Sequence, residues 1–208
     1  MTTANKITIA RILMIPMFVM MAVYYGKSVQ RGDPRDWERF AAVLLFLLAA
    51  ASDGIDGYIA RRYNQKSQLG VVLDPIADKG LLLAAIITLS FSNWTYEFPL
   101  WFPVLVITRD AVILIGTAVL HLLTGQAKVK PSWSGKSATA LQMTAIAFVL
   151  LQLNFFTRTL TIFHQAVTID FLDIPVVLAG FFTLISGIGY VMDGIRQLQA
   201  GGHAHAKP

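Results

Sequence analysis

Asp53, Asp56, Asp74 and Asp78 fall in one stretch, Ser52 to Lys79, between runs apolar enough to lie in a bilayer. On a helix Asp53 and Asp56 share a face at i, i+3, with Ala60 and Arg61 about a turn further along. Asp74 and Asp78 share another face at i, i+4. Two helices presenting two carboxylates each can converge on divalent cations, because repulsion and burial would otherwise force several of these groups to protonate. Gly57 and Gly70 have no side chain, so a bulky or phosphorylated ligand can approach the backbone there. Arg61 adds a planar fork of donors suited to phosphate.

Capping offers a plainer account of Asp74, which precedes Pro75 as an N-cap precedes a proline in the first turn. It leaves the other three acids, the glycines and the arginine in this register unexplained. An EF-hand loop would need acids at alternate positions before its glycine, and they are not there.

The elements that must carry these groups are membrane helices. Of the 208 residues, 55% are hydrophobic and 14% charged, too few polar positions to cover a soluble globule of this size. The mean hydropathy is +0.60, and the apolar runs are long enough to cross a bilayer. The expected fold is all-α, a polytopic bundle of about six transmembrane helices forming one domain over 1–200, with 201–208 as a flexible tail. The spans read as Ile7 to Tyr25, Phe40 into the aspartate stretch, Leu69 to Phe91, Phe98 to Leu123, Ala138 to Leu153 and Ile174 to Met192. The first run is long, carries Arg11 and lacks a clear small-x-small cleavage site, so it reads as an uncleaved span.

The formal charge of +5 comes without a basic stripe interleaved with aromatics, so anionic lipid headgroups and phosphorylated substrates are expected as partners rather than nucleic acid. Without cysteine there is no disulfide framework, thiol chemistry or zinc-thiolate site.

Asn5, Thr8 and Arg11 fall loosely on one helical side, a pattern that a cap plus a snorkelling arginine would also give. The connection from Gly26 to Arg39 carries no evident chemistry, and Trp37 in it is a plausible interfacial anchor. Pro75 is a candidate kink. Arg109-Asp110 lies deep in the fourth span, where a charge is costly and by default marks a cavity, although a structural pair bonded to other helices gives the same pattern. Lys128 and Lys130 read as topological charges beside a membrane. The connection from Asn154 to Asp173 shows no site, His164 reads as an ordinary surface residue, and Gly180, Gly187 and Gly189 would permit close helix packing.

The spacing Asp53-x-x-Asp56-Gly57-x-x-Ala60-Arg61, then Gly70, Asp74 and Asp78, resembles the signature of the CDP-alcohol phosphotransferases. These membrane enzymes move a phosphatidyl or similar group from a CDP-linked donor to an alcohol. The resemblance implies that Asp53, Asp56, Asp74 and Asp78 lie at divalent metal, Mg2+ or Mn2+, and that Asp78 serves as general base. It further implies that Gly57, Ala60, Arg61 and Gly70 line the cytidine diphosphate pocket. A start of the form Asn5-x-x-Thr8-x-x-Arg11 with Ile15-Pro16 is common in the family and faces the donor, CDP-diacylglycerol. Arg109 and Lys136 are implied at the acceptor's phosphate, and a homodimer is implied as the assembly.

Within the family, the opening and the Leu73 to Lys79 segment look most like phosphatidylglycerophosphate synthases, whose acceptor is glycerol 3-phosphate. Lys130 to Lys136 is also similar to cardiolipin synthases, which use phosphatidylglycerol, and Asp110 stands where the first group commonly has Glu. A cation transporter is the alternative of another class, since intramembrane carboxylates serve transport too. The repeated halves with broken helices typical of transporters are absent from the sequence.

Lys6, Arg61, Arg62, Lys66, Lys128, Lys130, Lys136, Arg196 and Lys207 fall on the side of both termini, against Lys27, Arg31, Arg35, Arg39 and Arg158 on the other. The bias predicts cytoplasmic termini and a cytoplasmic motif in an inner membrane.

Overall fold

A backbone in hydrocarbon has to satisfy its own hydrogen bonds, so long apolar runs become helices. The computed structural model describes residues 3–62, 68–124, 133–162 and 165–204, and has six helices in that order. They are α1 (Thr3–Gln30), α2 (Asp36–Arg62), α3 (Gln68–Phe91), α4 (Trp101–Thr124), α5 (Trp133–Leu151) and α6 (Asp173–Ala204). The chain is a helical membrane bundle. Among the described residues, Asn5–Gln30, Trp101–Leu120 and Asp173–Gln197 have the length and hydropathy to cross a membrane. α3 runs unbroken through Pro75, and α6 continues to Ala204, into the stretch expected to be a flexible tail.

One departure from the all-helical expectation is a hairpin in the connection before α6. β1 (Thr157–Ile162) pairs antiparallel with β2 (Gln165–Asp170), Thr157 opposite Asp170 and Ile162 opposite Gln165. Thr157, Thr159 and Thr161 alternate along β1 and Val167, Thr168 and Ile169 run together in β2, β-branched residues that favour pleated pairing. No helical period competes there.

The helices fall into two compact units, one of 1–99 with 146–155, the other of 100–145 with 156–208. In the first unit α1 packs along both α2 and α3, which among the described residues touch one another only sparsely. Phe18, Phe46, Leu81, Leu82 and Ile86 are among its buried side chains. Trp94 donates its indole N–H to the Ala22 carbonyl at 3.0 Å and meets Tyr25 edge-on, fastening the chain after α3 to the far end of α1. Gly26 makes this closure possible, because a Cβ there would stand 1.5 Å from the Ser92 carbonyl oxygen. Gly26→Ala is expected to push the end of α3 away from α1, destabilising the protein by about 3 kcal/mol, the upper range for overpacking. Thermal unfolding in detergent would register it as a lowered Tm.

In the second unit α4 packs on α6. Gly180 admits the Trp101 ring, which a Cβ would meet at 2.6 Å, and Gly187 sits under the Arg109 stem. Gly189 has open space at its Cβ position, so the close packing expected there is absent. Gln142 on α5 donates to Thr183 on α6 at 2.8 Å, and both are buried.

Candidate active site

Arg11 is the centre of the site. It lies one-third of the way along α1 with a fully buried side chain, so the reading as a snorkelling arginine is overturned. Its Nη1 lies 2.9 Å from Asp53 Oδ1 on α2 and 2.5 Å from Asp78 Oδ1 on α3. Its Nε donates to Ser52 Oγ at 3.2 Å, and Ser52 donates in turn to the Ala49 carbonyl at 2.7 Å. Thr8 and Asn5, about one and two turns before Arg11, are also buried. α1 begins at Thr3, which puts Asn5 inside the helix rather than at a cap.

Two carboxylates from different helices thus meet at one cationic nitrogen, and their oxygens can be no further apart than those two bond distances together allow. Both remain about half exposed, at 50% and 46%, while the arginine is at 0%. Both acids are therefore reachable from outside the cluster. The carboxylate oxygens are hard donors, a class that fits Mg2+ or Mn2+ and not a soft metal. Asp56, Gly57, Ala60 and Arg61 belong to α2, and Gly70 and Asp74 to α3, with side chains outside the described ones. Among the described residues no group of three acids or histidines gathers, so the four-aspartate cluster is not tested there. Lys128, Lys130 and His164 also lie outside the described residues.

Arg109 and Lys136 belong to the second unit. The Arg109 side chain is 12% exposed. Its Nη1 bonds Asp110 Oδ1 at 2.8 Å, and its Nη2 donates to Ser186 Oγ on α6 at 2.7 Å. Among the described residues no acceptor reaches its buried Nε. The structural-pair reading is thus correct for two of the guanidinium nitrogens and leaves the third unexplained. Lys136 is exposed in the first turn of α5. Ser52 and Ser186 escaped the sequence reading, because an isolated serine in an apolar run gives no signal until its partner is known.

Comparison with known proteins agrees with the motif. The family described as CDP-alcohol phosphatidyltransferase matches residues 1–192. A "Probable phosphatidylglycerophosphate synthase" of Mycobacterium tuberculosis is 32% identical over 196 residues, 94% of this chain and 82% of that protein. The "CDP-diacylglycerol--glycerol-3-phosphate 3-phosphatidyltransferase" of Escherichia coli K12 is 35% identical over 150 residues, 71% of this chain and 76% of its own. With a signature complete at every fixed position and a match over nearly its whole length, the chain belongs to the CDP-alcohol phosphatidyltransferase family.

Proposed function

We propose that the protein transfers a phosphatidyl group from CDP-diacylglycerol to glycerol 3-phosphate, giving phosphatidylglycerophosphate and CMP in phospholipid biosynthesis. The names of the relatives support this acceptor over phosphatidylglycerol, and none of them supports a transporter. The observation that carries the chemistry is the meeting of Asp53 and Asp78 at Arg11.

Asp53, Asp56, Asp74 and Asp78 are the residues that would hold Mg2+ or Mn2+. The chemistry such a cation would supply there is neutralisation of the diphosphate and of the charge left on the departing CMP oxygen. Asp78 accepts the proton of the acceptor hydroxyl, whose oxygen forms the new bond to the lipid-bearing phosphorus as the bond to the CMP phosphate breaks. Arg11 is a positioning residue: it holds Asp53 and Asp78 at one point before substrate arrives. Asn5, Thr8, Gly57, Ala60, Arg61 and Gly70 line the donor site. Arg109 and Lys136 are the residues proposed to receive the acceptor's phosphate. The excess of Lys and Arg on the side of the termini supports an active site facing the cytoplasm, where glycerol 3-phosphate is dissolved. A homodimer is the proposed assembly.

Product identification tests the reading. Purified protein supplied with CDP-diacylglycerol, Mg2+ and either glycerol 3-phosphate or phosphatidylglycerol is expected to form phosphatidylglycerophosphate from the first and no cardiolipin from the second. Cardiolipin as the main product would overturn the acceptor.

A further inference from the structure

The connection between α1 and α2, in which the sequence shows no chemistry, encloses a cleft of about 380 Å³. Lys27, Arg31, Arg35, Asp33, Glu38 and Trp37 line it. Lys27 lies sixteen residues beyond Arg11 on α1, which at the helical rise is about 24 Å. That is close to the thickness of a hydrocarbon core, about 30 Å, so the cleft sits at the opposite membrane interface from the aspartates. Exposed Trp37 and Tyr24 flank it, side chains suited to headgroup level.

The cleft's frame is built by local hydrogen bonds. Gly32, at φ 76°, ends α1: its N–H bonds the Val29 carbonyl and the Asp33 N–H bonds the Ser28 carbonyl, the paired closure of a Schellman motif. The Arg35 N–H then bonds Ser28 Oγ at 3.1 Å, tying the start of α2 back to α1. Three basic and two acidic side chains are therefore presented together. Glu38 is 5% exposed, and among the described residues no donor reaches its Oε2. Its Oε1 lies 3.8 Å from Arg35 Nη1, beyond hydrogen-bond length. A buried carboxylate in that condition is costly, and a donor-bearing cation relieves it.

We infer that this cleft binds an aminophospholipid headgroup, its phosphodiester on Lys27, Arg31 and Arg35 and its primary ammonium on the Asp33 and Glu38 side. A phosphodiester alone would satisfy the bases and leave the acids unmatched. A primary ammonium carries three N–H donors, whereas the quaternary ammonium of a choline headgroup carries none. The inference stands apart from the transferase reading, since none of these residues belongs to the proposed catalytic or substrate site.

Native mass spectrometry of the full chain in detergent tests it, with phosphatidylethanolamine, phosphatidylcholine and phosphatidylglycerol of identical acyl chains. The wild type is expected to retain phosphatidylethanolamine above the other two. Lys27→Ala with Arg31→Ala, both exposed positions, is expected to weaken that retention about tenfold while CMP release stays at the wild-type rate. Glu38→Gln is expected to bring phosphatidylethanolamine down to the phosphatidylcholine level. Equal retention of these two lipids by the wild type, preference for phosphatidylglycerol, or undiminished retention by the double variant would overturn the site.

Discussion

Asp78→Asn is expected to lose about a thousandfold in kcat while keeping its fold, the range ascribed to a positioned general base. The substitution is nearly isosteric and keeps an oxygen facing Arg11, but an amide cannot accept the hydroxyl proton. Buried Arg11 keeps Asp53 as its counter-ion and the amide oxygen as an acceptor, so a change in Tm of more than a few degrees is not expected. Single-turnover CMP release from CDP-diacylglycerol measures the chemical step. Wild-type turnover in this variant would remove Asp78 from the base role.

Arg11→Met is expected to act on both stability and rate. Losing the cation that Asp53 and Asp78 share takes away the only fully buried charge in the cluster and leaves Ser52 without its donor. Breaking a buried ion pair costs about 3–5 kcal/mol, and the half-exposure of both acids brings the expectation here to about 2 kcal/mol. Freed of the arginine, the acids of α2 and α3 repel one another and separate. A misplacement of about 1 Å is enough for a hundredfold loss of rate. Arg11→Lys keeps the charge but cannot reach both carboxylates and Ser52 from one planar group, so it is expected to recover stability more than rate. Urea unfolding followed beside CMP release separates the two effects.

The six helices and the register of the aspartates were legible in the sequence because apolar length and i, i+3 and i+4 spacing are local properties. Asn5, Thr8 and Arg11 were singled out by their spacing, yet their burial was not, since an arginine near a membrane end can equally snorkel. What decides it is the meeting of α1 with α2 and α3, a tertiary fact. The hairpin at 157–170 was read as plain connection because six-residue strands between helices leave a weak periodic signal. Gly26 looked like the start of a loop, and its need for close approach to Ser92 exists only once α1 and α3 are packed. The cleft between α1 and α2 was missed for a related reason. Its bases and acids read as mixed-sign loop charges until the Gly32 turn brings them to one face.

The most direct test of the central claim is Mn2+ binding to the purified protein, followed by the loss of the free-ion electron paramagnetic resonance signal. If carboxylates of α2 and α3 converge to hold a divalent ion, the wild type will sequester Mn2+ in competition with Mg2+, and Asp53→Asn combined with Asp78→Asn will bind it at least about tenfold more weakly. Unchanged Mn2+ affinity in that double variant would contradict the account.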